Sequence, residues 1–182
     1  MSTGDSARQH HTTARAELIK RIQLRDHVLM VFLAAVSTLF GVAFGTNTKP
    51  EILLVVPYLT LGATIIISQH QEVIGSLGSF LHNELHPFLD KIGEAAPQWN
   101  TSGSLEDYLT TAIWMRTLGH SILLLVPCLA ALAINWRHGF FSAFPEGPVW
   151  WFGVLFMLIS SVVIYKSHYW RKRIQKSYES SK

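Results

Sequence analysis

Four blocks of this chain run apolar for nearly the thickness of a bilayer: 28–45 (VLMVFLAAVSTLFGVAFG), 52–68 (ILLVVPYLTLGATIIIS), 120–135 (HSILLLVPCLAALAIN) and 149–165 (VWWFGVLFMLISSVVIY). A helix of about 20 apolar residues crosses about 30 Å of hydrocarbon, so each block predicts a transmembrane helix, the first near the lower limit of length. The second block continues past the polar QHQE junction. In 71–92, Val73, Leu77, Phe80, Leu81, Leu85, Phe88 and Leu89 recur at three- and four-residue spacing, which predicts a helix with one apolar face. Ahead of the first block, Leu18, Ile22 and Leu29 share a face, with Lys20 opposite and Arg21 and Arg25 towards its edge. The pattern therefore predicts helices over 13–46, 51–92, 105–136 and 148–178, each longer than a membrane needs.

Breaks in the pattern set the connections. The segment 46–50 (TNTKP) is a turn too short for anything but an antiparallel neighbour, and Pro57 predicts a kink between Leu53 and Pro57. Gly93 to Gly103 is polar and rich in breakers; beyond it Ser104 and Asp107 have the spacing of a capping box opening the third helix. Pro148 opens the fourth after a short aromatic loop. Residues 1–11 (MSTGDSARQHH) read as a disordered N-terminal tail and 179–182 as a frayed end, leaving 12–178 as a single membrane domain. The long polar lead and the length of the first apolar run argue against a cleaved signal peptide.

Charge gives the orientation. Of the 15 Lys and Arg, only Lys49 and Arg137 fall in the two short loops; the others lie in the N-terminal arm, the 71–116 segment and the C-terminal tail. The positive-inside rule places those three segments in the cytoplasm, with Trp136, Trp150 and Trp151 at one interface and Trp114, Tyr165, Tyr169 and Trp170 at the other. Every helical extension (12–26, 71–92, 105–116 and 166–178) then lies on the cytoplasmic side. The fold class is all-α: an antiparallel bundle of four transmembrane helices whose lower ends form a cytosolic stem. The competing arrangement for 71–92 is a helix lying flat among headgroups, which is disfavoured because the segment is not basic. In this orientation the sequon Asn100-Thr101-Ser102 faces the cytoplasm and stays unmodified.

Composition then narrows the chemistry. With 49% hydrophobic and 15% charged residues the chain is too apolar for an ordinary soluble domain, and its net charge of +3 is concentrated at the ends. That distribution suits topology and anionic lipid; no basic patch interleaved with aromatics points to nucleic acid. The single cysteine, Cys128, excludes an internal disulfide and a thiolate cluster. No Asp, Glu, Lys or Arg falls within a span, which disfavours an ion-coupled transporter. Phosphate loops and nucleophile elbows are missing, and Thr60, Thr64, Ser121, Ser160 and Ser161 read as interhelical hydrogen-bonding groups.

Three constellations remain. His27, His70, His120 and His168 fall one per helix near the cytoplasmic ends of the spans, a placement by which facing imidazoles hold haem or metal; interfacial histidines without a ligand have the same spacing. His82 and His86 share a helix face and offer a divalent-ion pair, but Asn83 stands where a zinc-protease helix needs its glutamate, so a solvated or stem-packing pair is the competing account. Ser37, Gly41 and Gly45, with Ala34 beside them, form a small-residue stripe that admits close approach of another helix, in this chain or in a second copy.

RDHVLMVFLAAVSTLFG, PYLTLGATIIISQHQEVIGSLGSFLHNEL and QWNTSGSLEDYL together resemble a group of uncharacterised bacterial four-helix membrane proteins over most of 15–135. The resemblance implies the fold and an inner-membrane setting, and no activity or site residue. The expectation is a non-enzymatic integral membrane protein of the cell (inner or plasma) membrane, with both termini cytoplasmic. It lies in the lipid bilayer as a homo-oligomer acting as scaffold, anchor or pore-type effector, and offers its stem to a cytosolic partner. No cofactor is required; haem or a divalent metal on the histidines is the alternative.

Overall fold

The computed structural model describes the backbone of residues 3–45, 49–93, 103–137 and 146–179, and their side chains except those of Thr3, His82, 103–114, Arg116, Glu146 and 171–179. The described residues are all-helical. Four stretches are long and apolar enough to cross a membrane: Gly4–Ala43, Pro50–Lys91, Thr117–Ile134 and Gly147–Trp170. The helices are α1 (Thr3–Ala43), α2 (Val56–Phe80), α3 (His86–Lys91), α4 (Gly103–Ile134) and α5 (Glu146–Glu179). A 3-10 turn (Pro50–Val55) leads into α2, and a π-turn (Leu81–Leu85) joins α2 to α3.

The start of α1 corrects the sequence expectation. Helix begins at Thr3, so residues 3–11, which composition alone reads as a disordered tail, wind continuously into the apolar block. Ala7 explains why: it is buried against Leu85 and Leu89, with Leu81 alongside, so tertiary contact holds a polar segment in helix. The same cluster selects the inward edge of the 71–92 face. Leu81, Leu85 and Leu89 point into the structure, whereas Phe80 and Phe88 are exposed.

Both prolines near the ends of the second helical stretch are absorbed by changes of winding. Ahead of Pro57 the chain winds as a 3-10 turn, and α2 starts at Val56. Pro57 thus falls in the first turn, where its missing N–H breaks no helical bond. No break occurs at QHQE: α2 runs through it to Phe80, and the widened π-turn lies just ahead of Pro87, relieving the clash with the preceding turn and carrying the apolar face on to Leu89.

Helix α2 is the core of the molecule. Half of its most apolar window is buried, against 17–22% in the other three candidate spans. It packs against α1, α4 and α5. One cluster joins Phe32, Val36 and Ala43 of α1 to Leu53, Val56, Ala63 and Ile67, and to Leu124 and Ala131 of α4. A second joins Leu54 to Cys128, Leu132 and Trp150. Polar clamps link the helix ends. Asn135 is fully buried and its Nδ2 donates to the carbonyls of Pro50 (2.8 Å) and Ala131 (3.0 Å), tying the end of α4 to the entry of α2. Trp150 Nε1 donates to the Leu132 carbonyl at 2.9 Å and its ring meets Trp151 edge-on. Trp150 is therefore a buried tie between α4 and α5, whereas Trp136 and Trp151 are exposed.

Candidate functional site

Helices α2 and α5 pack against each other along a seam whose residues repeat in step. Pro57, Thr64 and Gln71 are spaced by seven along α2, as are Gly153, Ser160 and Ser167 along α5. At the first level Gly153 leaves room for the Pro57 ring: a Cβ there would stand 3.1 Å from Pro57 Cγ and 3.0 Å from Leu132 Cδ2. At the third, Ser167 Oγ donates to Gln71 Oε1 at 3.2 Å. At the middle level Thr64 and Ser160 are both fully buried, and neither hydroxyl has a partner among the described residues. Small residues at heptad spacing let two helices run close together.

Alongside Thr64 the seam opens into a cavity lined by Thr64, Ile67, Ser68 and Gln71 of α2, Thr117, His120 and Leu124 of α4, and Ile164 of α5. Its free volume is about 10 Å³, on the scale of one water molecule. His168 borders the same region, its Nδ1 sharing a 3.3 Å hydrogen bond with Thr117 Oγ1. Thr117 lies one helical turn before His120, so a polar cluster drawn from three helices interrupts otherwise apolar packing.

Of the four interfacial histidines, the structure brings His120 and His168 to this cluster through Thr117. His27 is exposed on α1, and His70 is half-buried, its Nδ1 without a partner among the described residues. The cavity that His120 lines is water-sized. No group of three or more His, Cys, Asp or Glu suited to a metal occurs among the described residues. In the proposed divalent pair, the His82 side chain and the Ser104 cap lie outside the described residues, as does the 100–102 sequon. His86 is half-buried beside Leu85, with Nδ1 unpartnered among the described residues.

The small-residue stripe of α1 faces outwards. Ala34, Ser37, Gly41 and Gly45 are exposed, and a Cβ at Gly41 would meet nothing within 4 Å. The inward face is instead Phe32, Val36 and Ala43, and the stripe lies outside the packed clusters among the described residues. Hydropathy also misjudges Arg25, which is 5% exposed. Its Nε and Nη2 donate to Asp26 Oδ1 at 2.9 and 2.7 Å, while Nη1 has no partner among the described residues.

Of the hydroxyls expected to bridge helices, three bond within their own helix. Thr60, Ser121 and Ser161 donate to the carbonyl four residues back in their own helix. Groups that bridge helices include Ser167, Thr117, Asn135, Trp150 and Tyr58, whose hydroxyl donates to the Val149 carbonyl at 3.4 Å, and Thr60 also shares a hydrogen bond with Cys128 of α4. The heptad repeat of Gly153, Ser160 and Ser167 was the available sequence signal for this seam. Comparison with protein-family models, curated proteins and solved structures finds no match to this chain, so the site is read from its geometry.

Proposed function

We propose that this chain is a non-enzymatic, multi-pass protein of the cell membrane that assembles with copies of itself through α1 and serves as a membrane scaffold or anchor. The observation that carries the reading is the outward Ala34, Ser37 and Gly41 stripe, beside exposed Met30, Val31 and Val42. In lipid an apolar face needs no cover, but a stripe of small residues allows a second helix backbone to come close enough for dense packing. The chain meets its own need for close approach elsewhere, at Gly153.

An antiparallel bundle is supported by the pairing of helix ends: Leu132 with Trp150 at one end of α4 and α5, Thr117 with His168 at the other, Asn135 with Pro50, and Ala7 with Leu89. The distribution of Lys and Arg supports cytoplasmic termini and a cytosolic stem. That stem is the surface available to a cytosolic partner. The experiment is subunit counting of the full chain in bilayers by single-molecule photobleaching. The native chain gives a fixed stoichiometry above one, and Gly41→Leu lowers it while remaining folded. A native chain that is monomeric at high density in the bilayer refutes the proposal. A pore-forming version additionally requires ion leakage from vesicles containing the protein.

A further inference from the structure

We propose that the seam of α2, α4 and α5 contains a site for one water molecule, bound in the cavity beside Thr64 and hydrogen-bonded to the Thr64 hydroxyl. Hydroxyls in these helices ordinarily settle on the carbonyl four residues back: Thr12, Thr38, Thr60, Ser121 and Ser161 all do so. Thr64 does not. Its side chain is fully buried, its Oγ1 has no partner among the described residues, and it lines the cavity.

Leaving a buried hydroxyl unpaired is costly, and the cost is greater in an apolar surround than near bulk water. The space available matches the remedy. About 10 Å³ is close to the least that admits a water, and a buried water needs two to four polar partners. The same walls carry Ser68, Gln71, Thr117 and His120, so Thr64 and at least one further group are supplied by different helices. Ile67, Leu124 and Ile164 supply the apolar part of the wall, and the free space of about 10 Å³ fits nothing larger than a water.

Such a water has a structural and a chemical consequence. It joins the Thr64 hydroxyl of α2 to a polar group of α4 at a level where Thr64 and Ser160 do not bond each other. It also sets an exchangeable proton carrier in the cavity that His120 lines, in a seam whose other levels are closed by a proline ring and a serine–glutamine bond.

Polarisation transfer from water protons to side-chain carbons, measured by solid-state NMR on the full chain in bilayers of deuterated lipid, tests the site. Thr64 and Leu124 should receive magnetisation well ahead of Ala131, which is equally buried but outside the cavity. Thr64→Val, which keeps the shape and removes the hydroxyl, should abolish the transfer to Leu124, whereas Ser160→Ala, outside the cavity wall, should keep it. The proposal is overturned if Thr64 in the native chain lags with Ala131, or if Thr64→Val leaves the Leu124 transfer unchanged. Should Thr64→Val fail to fold, the comparison within the native chain decides alone. Self-association plays no part in this test.

Discussion

At the scale of single residues, two positions depart from what their type suggests. Gly153 is small because two neighbours already occupy the space of a side chain. Gly153→Leu should therefore overpack the seam and cost about 1–3 kcal/mol or more, read as a lower midpoint in detergent denaturation. Gly78→Ala is the control: nothing lies within 4 Å of its Cβ position, and removing a helical glycine should stabilise by up to about 1 kcal/mol. Arg25 is the second. Its side chain is almost fully buried while its partner Asp26 is 54% exposed. Asp26→Asn strands the guanidinium and should cost about 1 kcal/mol, the half-exposed carboxylate being partly screened. Arg25→Met, which removes charge and desolvation together, should be nearly neutral in the same assay. Neither burial was legible in the sequence. A glycine within an apolar run and an arginine at the edge of one carry no local mark of what another helix places against them.

Element by element, apolar length made the four long helices readable, and their ends fall within a few residues of expectation except at α1. There a polar segment is helical because Ala7 finds Leu85 and Leu89, a contact separated by most of the first two helices and invisible to composition. The apolar periodicity of 71–92 was also legible, but not which edge turns inwards. That choice rests on the π-turn before Pro87. Pro87→Ala restores the missing N–H and should let Leu81–Leu85 return to α-helical winding, rotating α3 and carrying Leu89 away from Ala7. With cysteines introduced at Ala7 and Leu89, disulfide yield should fall in the Pro87→Ala background. An equal yield would show that the turn is held by other packing.

For the whole molecule, counting charges predicts the side on which each end lies, and the cross-helix ties add which ends meet. A fluorescent-protein fusion after Lys182 should fluoresce, as fusions on the cytoplasmic side do. A periplasmic reporter inserted at 46–48 should be active, and the reverse pattern would invert the proposed orientation. What remained hidden in the sequence was the rank of the helices. The hydropathies of the four candidate spans are nearly alike, at 1.8–2.1, yet α2 alone is half buried. Rank depends on which faces are engaged, and the small and hydroxyl residues that engage α2, namely Thr60, Thr64, Ser68 and, across from them, Gly153, Ser160 and Ser167, count against hydrophobicity in any sliding average. The central place of α2 also bears on synthesis. Its partner α5 follows α4 in the chain, so during translation the hydroxyl-bearing side of α2 waits without the helix that covers it. Chains stopped before Glu146 should accordingly be held by insertion chaperones or cleared by membrane proteases, whereas chains that include α5 are retained. Pulse–chase turnover of the two lengths measures how long α1 to α4 can wait for α5.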